Sequence, residues 1–445
     1  MLTLLHLSDL HITTKDAGTQ FDRDVKIRHA LLDDLGIEGR TNFDAILVTG
    51  DVAYHGSSDE FARAKLWFEE VRTKTNSNPE ALFVVPGNHD VNQKTVFESS
   101  SLWELHQSLR DLKKSPEERL ASLEAKLKDP SLDFLAALKE YRAFAHEYGC
   151  PTSCQKLSWV QILDDEKKLE DGSTVRFHGL NSALLSDAAD ARPNLLLGEL
   201  QFEHFSPDPR YVNLVLCHHP QNWLIDDNEA NDYFRAQAHV LLSGHEHDTR
   251  CYNEGGCLRV RAGAIHPNRR EERWEPCYHV LRLSVDTSKG RDLIVQVETR
   301  VWRPKDKCFA KYVQGDGSDF HTERIPLKAW TQPAAAPHIS TSASPPIPVS
   351  SPVEMNDLTM TRDVFAAARR KLIVHFFRVG TLSRFQAAIN AGVWEEGDDA
   401  FDGQERWARV FERAEKNEKL KALWDAVAKE DQTLAGQINP FTKTL

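Results

Sequence analysis

Short aliphatic runs recur through the first half of the chain, and each ends at a glycine or a polar residue. They cover residues 2–7, Ala45–Val48, Leu82–Val85 and Val212–Cys217. Runs of this length that are bounded by turn-forming residues are typical of buried strands. Apolar positions at helical spacing lie between them, at about Asp24–Leu35 and Ser58–Thr73. This alternation of strands and helices predicts an α/β fold with a partly parallel sheet.

The pattern changes at about residues 94–150, where charged residues alternate with Leu, Phe and Ala at three- and four-residue spacing. This spacing predicts two or three amphipathic helices inserted into the α/β core. The insertion is either a scaffold or a cap over an active site, and the pattern does not separate the two. Strand-like runs return at residues 257–301 and are expected to complete a second sheet.

The last quarter of the chain has a different character. Residues 331–353 are rich in Pro, Ser and Ala, which predicts a linker. Residues 354–445 return to helical spacing, with a predicted helix end at Gly380 and a predicted helix cap at Thr381. The chain is therefore expected to contain an α/β domain at 1–330, a linker at 331–353 and a small all-α C-terminal domain at 354–445.

Bulk composition limits the class of protein. The chain has 445 residues, a net charge of −12, 40% hydrophobic residues and 27% charged residues, which suits a water-soluble globular protein. No apolar run reaches the roughly 18 residues of a membrane span, so we expect a cytoplasmic protein with no membrane contact. The acidic balance disfavours broad electrostatic capture of nucleic acid, although a local basic patch could suffice. The 7 cysteines are irregularly spaced, which predicts reduced thiols.

Five short polar segments carry the candidate chemistry. They are Asp9-Leu10-His11, Gly50-Asp51, Gly87-Asn88-His89-Asp90, His218-His219 and Gly244-His245-Glu246-His247. Four follow a predicted strand directly, and the fifth follows residues 239–243. Ligands of α/β sheets lie at the C-terminal ends of strands, so these segments are expected to meet at one edge.

The residue types in these segments suit transition metals. On an extended segment, the side chains of Asp9 and His11 would point to the same face and could bind one ion together. The two oxygens of Asp51 could bridge two ions. Imidazoles combined with carboxylates favour ions such as Zn, Mn, Fe, Co or Ni over Ca or Mg alone. Two such ions about 3.5–4 Å apart can hold a phosphate and a hydroxide together.

The ordered set D-x-H, G-D, G-N-H-D, H and G-H-x-H resembles the calcineurin-like metallophosphoesterase superfamily over roughly residues 1–300. This resemblance implies a four-layer α-β-β-α sandwich and a centre with two divalent metal ions, for which we expect Mn. It implies that Asp51 bridges the two ions. The remaining ligands that it implies are Asp9, His11 and His247 for the first ion, and Asn88, His218 and His245 for the second.

The same resemblance implies that His89 is not a ligand. His89 would lie near the leaving-group oxygen as a general acid or phosphate contact, and Asp90 would help to hold the loop. Of the adjacent histidines, His218 is preferred over His219 as the ligand, because it comes first after the strand. Glu246 is expected to be a spacer within G-H-x-H.

Tyr54 and His55 distinguish this chain from two branches of the superfamily. Purple acid phosphatases have an iron-binding tyrosine three residues after the bridging Asp, as Tyr54 is here. Those enzymes lack the His of D-x-H, whereas this chain keeps His11, so we expect Tyr54 to pack or to contact substrate. Protein phosphatases have Asp-Arg where this chain has Tyr54-His55, which argues against a phosphoprotein substrate.

The motifs predict a metal-dependent phosphodiesterase acting on nucleotide-type substrates, because they most resemble the cyclic-nucleotide and glycerophosphodiester phosphodiesterase branch. One alternative is a DNA or RNA nuclease, with basic runs at residues 268–273 and 369–371. Another is a signalling or defence effector that a protein partner recruits through residues 354–445. The substrate itself is left open, because the inserted helices would shape the pocket.

Overall fold

Two β-sheets face each other and are flanked by helices in the computed structural model, which confirms the predicted fold class. The structure describes residues 1–15, 17–19, 22, 25–37, 42–163, 167–202, 208–266, 276–330 and 362–442. The predicted linker at 331–353 and the basic run at 268–273 lie outside the described residues. Within these ranges, no helix is both long and apolar enough to cross a membrane.

The strands and helices have the following bounds. The strands are β1 (Leu2–Leu7), β2 (Ala45–Val48), β3 (Leu82–Val84), β4 (Trp159–Ile162), β5 (Thr174–Gly179), β6 (Tyr211–Leu216), β7 (Val240–Ser243), β8 (Arg250–Glu254), β9 (Cys257–Arg261), β10 (Cys277–Asp286), β11 (Asp292–Arg303), β12 (Cys308–Lys311) and β13 (His321–Pro326). The helices are α1 (Val25–Leu35), α2 (Ser58–Thr75), α3 (Gln93–Glu98), α4 (Ser100–Arg110), α5 (Pro116–Leu127), α6 (Lys139–Glu147), α7 (Asp227–Gln237), α8 (Arg362–Arg378), α9 (Thr381–Asn390), α10 (Gly403–Lys416), α11 (Leu420–Val427) and α12 (Gln432–Ala435).

The first sheet has the strand order β12-β11-β10-β1-β2-β3, with β13 paired to β11. Strands β1, β2 and β3 are mutually parallel, so their C-terminal ends lie at one edge. Each residue of β2 is buried, which is typical of a strand covered on both faces. The aliphatic runs therefore become strands because their two faces are both enclosed.

The second sheet has the strand order β4-β5-β6-β7-β9-β8. Its four central strands, β5, β6, β7 and β9, are mutually parallel. The two sheets share one apolar core. The rings of Phe83 and Phe177, one from each sheet, have centroids 4.7 Å apart. Trp159 of β4 donates its Nε1–H to the carbonyl oxygen of Val84 at 3.0 Å. These contacts hold the two sheets against each other beside β3.

The insertion contains four helices, α3 to α6, rather than the two or three predicted. The extra one is the short helix α3, which spans 6 residues and is too short to show a periodic pattern. Helix α6 packs on α2, where the rings of Phe144 and Phe61 stack at 5.1 Å. Arg110 at the end of α4 donates to both carboxylate oxygens of Asp187, at 3.0 and 2.9 Å. The insertion thus supports α2 and holds the loop that follows β5.

The C-terminal helices have an apolar core of their own. It includes Phe376, Trp407, Phe411, Leu423 and Trp424, all buried. The structure corrects the predicted cap at position 381. Gly380 is the N-cap of α9, and Thr381 is its first helical residue.

Helix α8 attaches this helical unit to the α/β domain. Its Arg370 side chain is buried and donates to the carbonyl oxygens of Glu80 at 2.7 Å and Leu82 at 2.6 Å. The guanidinium also lies 3.9 Å from the centroid of the Phe83 ring. The C-terminal helices therefore contact the start of β3 directly, in addition to their covalent connection.

A buried histidine in the first sheet predicts acid sensitivity. His279 of β10 is fully buried, and burial lowers its pKa to about 4. The unfolded chain takes up a proton below about pH 6.5, whereas folded His279 stays neutral until about pH 4, so stability falls as the pH drops through this window. From pH 8 to pH 5, His279 is expected to remove about 2 kcal/mol from the free energy of unfolding. The measurement is urea unfolding at both pH values.

Between these pH values, the free energy of unfolding of His279→Gln should fall by about 2 kcal/mol less than that of the wild type. The reason is that the glutamine side chain does not titrate. The exposed residue His29 supplies the matched control, and His29→Gln should keep the wild-type difference. Identical losses in wild type and His279→Gln would contradict the assignment.

Candidate metal centre

Strand ends from both sheets bring the predicted ligands together. Asp9 and His11 follow β1, Asp51 follows β2 and Asn88 follows β3. From the second sheet, the loops after β6 and β7 contribute three histidines, which are His218, His245 and His247. The seven predicted ligands therefore converge at one edge of the sandwich, across both sheets.

The first group of ligand atoms comprises Asp9, His11 and His247, whose ligand atoms all lie within 4.8 Å of one another. Asp9 Oδ1 is 3.2 Å from Nε2 of His247. His11 Nε2 is 3.2 Å from Oδ2 of Asp51. All four of these side chains are nearly or fully enclosed, so an ion held there would be largely shielded from solvent.

The second group lies on the other side of Asp51. Asn88 Oδ1 is 2.9 Å from Nδ1 of His245 and 3.1 Å from Nε2 of His218. His218 Nε2 is also 3.4 Å from Oδ2 of Asp51. The same carboxylate oxygen of Asp51 thus faces His11 in one group and His218 in the other.

The backbone at these positions differs from the extended segment expected for Asp9 and His11. Both residues have a positive φ, 52° for Asp9 and 43° for His11. Asp51, His245 and His247 also have positive φ values, at 51°, 72° and 54°. Among the described non-glycine residues, 9 have this conformation, and five of them are predicted ligands. Such left-handed positions cost free energy and concentrate at functional sites.

Two glycines are required by close approach around Asp51. Gly50 has a φ of 92°, and a Cβ there would lie 2.6 Å from Nδ1 of His218. A Cβ on Gly87 would lie 2.2 Å from Oδ1 of Asp51. The sequence predicts that both glycines permit tight turns. Only Gly50 has a positive φ, whereas Gly87 is needed because it leaves room for the carboxylate.

Hydrogen bonds to carbonyl oxygens set the tautomers of two histidines. His11 Nδ1 donates to the His266 carbonyl at 2.6 Å, and His218 Nδ1 donates to the Thr49 carbonyl at 2.6 Å. A carbonyl can only accept, so Nδ1 carries the hydrogen in both rings. Each Nε2 therefore keeps its lone pair for the site when the ring is neutral, as in metal-binding histidines.

The protonation states of the site suit divalent metals. Burial would raise the pKa of Asp9, but the hydrogen bond and charge of His247 lower it to about 2. Burial and the nearby charge of His218 lower the pKa of His245 to about 3. Burial opposes a charged His218, yet the Asp51 carboxylate raises its pKa to about 9. Ionised carboxylates and neutral imidazoles fit a metal directly, and His218 would release a proton on binding one.

His89 and Asp90 differ in position. His89 Nδ1 donates to the Tyr54 carbonyl at 2.9 Å, and one of its ring nitrogens lies within 4.8 Å of ligand atoms of His11 and Asp51, a third possible metal-binding group. Asp90 is fully buried and accepts from the backbone N–H groups of Ala53 at 2.8 Å and Gly87 at 2.9 Å. Asp90 therefore positions two loops, whereas His89 is at the site itself.

Both adjacent histidines reach the site. Ligand atoms of His219, His218 and His245 lie within 4.8 Å of one another, so the geometry also allows His219 to bind a metal. Its Nδ1 is 2.9 Å from the Ser182 hydroxyl, which gives this ring a structural partner in the loop that follows β5. His218 alone of the two lies beside Asp51, in keeping with its preference as the ligand.

Several neighbours of the site are not evident from the sequence. Trp223 packs against His245, with ring centroids 4.2 Å apart. Glu246, expected to be a spacer, pairs with Arg192 and Arg261. The one available signal is that Trp223 closely follows the His218-His219 strand end. Tyr54 lies beside the site, with its ring centroid 5.2 Å from that of His89.

Comparisons with known proteins give one family and several solved structures that are similar to this chain. The model of the calcineurin-like phosphoesterase family matches residues 2–249. No curated protein matches the chain. Similar solved structures include Vps29 of Chaetomium thermophilum, with 12% identity, 74% of this chain and 100% of that chain covered, and a TM-score of 0.30.

Two further similar structures have comparable scores. GAP50, the anchor in the inner membrane complex of Plasmodium, has 11% identity, covers 74% of this chain and 89% of its own, and has a TM-score of 0.36. A predicted phosphoesterase of Streptococcus pneumoniae TIGR4 is 13% identical, and the match covers 70% of this chain and 97% of that chain, with a TM-score of 0.25. The family model covers more than half of the residues. The chain therefore belongs to the calcineurin-like phosphoesterase family.

Proposed function

We propose that the protein is a binuclear, metal-dependent phosphodiesterase that acts on nucleotide-type substrates. The position of Asp51 carries this proposal. Its Oδ2 atom is 3.2 Å from His11 Nε2 and 3.4 Å from His218 Nε2, so one carboxylate is shared by two groups of ligands. A carboxylate in this position suits two closely spaced ions, because its two oxygens can bind one ion each.

The donor atoms favour transition metals. Each group combines imidazole nitrogens with carboxylate or amide oxygens, which suits Mn, Fe, Zn, Co or Ni, and we propose Mn. Two such ions supply Lewis-acid activation of water and charge neutralisation of the phosphoryl oxygens. Asp9, His11 and His247 would hold one ion, and Asn88, His218 and His245 the other. Asp51 would bridge them.

His89 is the proposed proton donor to the leaving oxygen. Its Nδ1 is occupied by the Tyr54 carbonyl, so Nε2 is the atom that can face a substrate. Burial lowers the pKa of His89, which favours the neutral ring. A bound phosphate anion favours the imidazolium form and counteracts burial. Asp90 supports this role indirectly, by holding the loops on either side of His89.

The alternative of a nuclease gains little support from the second basic run. Arg370 is buried against β3, Arg369 pairs with Glu415 at 2.8 Å, and Lys371 pairs with Glu80 at 3.3 Å. These cations are engaged within the protein and do not form an open surface for nucleic acid. We also propose a cytoplasmic location, and recruitment by a protein partner through residues 354–445 as the alternative function.

A substrate comparison tests the proposed function. The protein is reconstituted with Mn²⁺, and kcat/KM is measured for bis-p-nitrophenyl phosphate, p-nitrophenyl phosphate, 3′,5′-cyclic nucleotides, and single- and double-stranded nucleic acids. We expect diesters to exceed the monoester by about tenfold or more, equivalent to roughly 1.4 kcal/mol of transition-state discrimination. Removal of metal with EDTA should abolish turnover. Preference for the monoester would overturn the proposal, and preference for long nucleic acids would favour the nuclease.

A further inference from the structure

Four side chains from separate segments meet beside His245. The indole of Trp223 packs edge-on against the His245 ring, with centroids 4.2 Å apart and an interplanar angle of 89°. Its Nε1–H donates to Oε1 of Glu246 at 3.1 Å. The same carboxylate forms ion pairs with Arg192 and Arg261. This cluster connects the second ligand group with the loop that follows β5.

The members of the cluster differ in exposure. The side chains of Glu246 and Arg261 are 11% and 14% exposed, whereas that of Arg192 is 49% exposed. Arg261 is fixed further by its Nε–H, which donates to the Asp248 carbonyl at 2.8 Å. Glu246 and Arg261 therefore form a fixed support, and Arg192 is the cation that a ligand can reach.

The guanidinium of Arg192 is held in place by stacking. It lies 4.8 Å from the Trp223 ring centroid, and the same indole contacts the His245 imidazole. In the described part of the chain, only Nη2 of Arg192 makes a hydrogen bond, which leaves Nε and Nη1 as donors. Arg261 also pairs with the Asp248 carboxylate at 3.1 Å, so these two arginines and two carboxylates balance in charge, and Arg192 is the more exposed of the two cations. A stacked, pre-positioned arginine is well suited to binding a phosphate group.

We propose that Arg192, stacked on Trp223 and paired with Glu246, binds a second phosphate group of the substrate, beyond the phosphodiester that is cleaved. This inference rests on the proposed phosphodiesterase function and narrows its substrate class. The preferred substrates are phosphodiesters that carry another phosphate close to the scissile bond. The helix α4 contributes indirectly, because its Arg110 holds Asp187 in the loop that carries Arg192.

A matched pair of dinucleotides tests the proposal. Thymidylyl-thymidine and its 5′-phosphorylated form contain the same scissile phosphodiester and differ only in a terminal phosphate. We expect the wild type to prefer the phosphorylated form by about tenfold in kcat/KM, in keeping with one charge-assisted hydrogen-bonded contact. Arg192→Gln should reduce this ratio to about one and leave kcat/KM for the unphosphorylated dinucleotide within about twofold of the wild type.

The neighbouring residue Arg250 supplies the control. It is exposed and pairs with Asp248 at 2.9 Å, without contact to Trp223, so Arg250→Gln should keep the wild-type preference. Equal losses for both dinucleotides in Arg192→Gln would show a purely structural role and overturn the proposal. A wild type without any preference for the terminal phosphate would overturn it as well.

A binding measurement separates this inference from the proposed function. The Mn²⁺-loaded His89→Asn variant, which keeps all seven proposed metal ligands but lacks the proposed proton donor, is titrated against both dinucleotides carrying a 3′ fluorophore, and fluorescence anisotropy reports Kd. Adding Arg192→Gln should weaken binding of the phosphorylated dinucleotide by about tenfold. It should leave the Kd of the unphosphorylated dinucleotide unchanged. If the wild type hydrolyses neither dinucleotide, the phosphodiesterase proposal fails, whereas this binding difference still supports or overturns the Arg192 subsite.

Discussion

Replacement of Asp51 by asparagine is expected to lower kcat/KM for bis-p-nitrophenyl phosphate by about a thousandfold or more. The side chain keeps its size and loses the negative charge that lies between His11 and His218. Without that charge, the two groups of ligands share no anionic donor. Steady-state kinetics and metal analysis by mass spectrometry measure the effect, and we expect bound metal to fall from two ions per chain to one or fewer.

A nearby carboxylate gives the control for this variant. Asp59 is exposed at the start of α2, and Asp59→Asn should retain wild-type activity and metal content. Circular dichroism establishes that each variant is folded. If Asp51→Asn keeps two ions and more than a tenth of the activity, the bridging position of Asp51 is wrong, and with it the proposed mechanism.

Replacement of Arg370 by methionine is expected to destabilise the protein by about 3 kcal/mol. Methionine retains an apolar chain of similar length, but it leaves the carbonyl oxygens of Glu80 and Leu82 without their buried donor. Each unpaired buried acceptor costs roughly 1–3 kcal/mol. Urea unfolding measures the loss, and hydrogen exchange should show reduced protection of α8.

The adjacent residue Arg369 separates this effect from a general loss of charge. Its guanidinium pairs with the exposed Glu415 within the C-terminal helices, so Arg369→Met should cost less than about 1 kcal/mol. Equal destabilisation by the two variants would contradict the proposed attachment of α8 to β3. A destabilisation of Arg370→Met that leaves exchange in α8 unchanged would contradict it too.

The features predicted best from the sequence are those encoded by local pattern. The short aliphatic run at Ala45–Val48 predicts a buried strand, and the structure has it as β2. The polar segments after such strands meet because parallel strands bring their C-terminal ends to one edge. Family resemblance then supplied the grouping of ligands, which strand patterns alone do not contain.

Features that depend on long-range contacts were missed. Arg370 belongs to the basic run at 369–371, whose local pattern gives no sign of burial, yet its side chain is buried against β3, almost 300 positions earlier in the chain. The pairing of Glu246 with Arg192 joins two loops, neither of which has a periodic pattern. Charged residues in loops find partners through the fold as a whole, so local spacing carries no information about them.

The left-handed backbone at five of the ligand positions limits which residues can replace them. Asp and His belong to the few residue types that tolerate a positive φ, whereas β-branched and bulky side chains do not. Glutamate and cysteine would offer good donor atoms, but they adopt a positive φ less readily than Asp, Asn and His. The composition of the ligand set is therefore under two separate constraints, one from coordination chemistry and one from chain geometry. Attempts to exchange ligands for a different metal should favour Asn, Asp and His substitutions at these five positions.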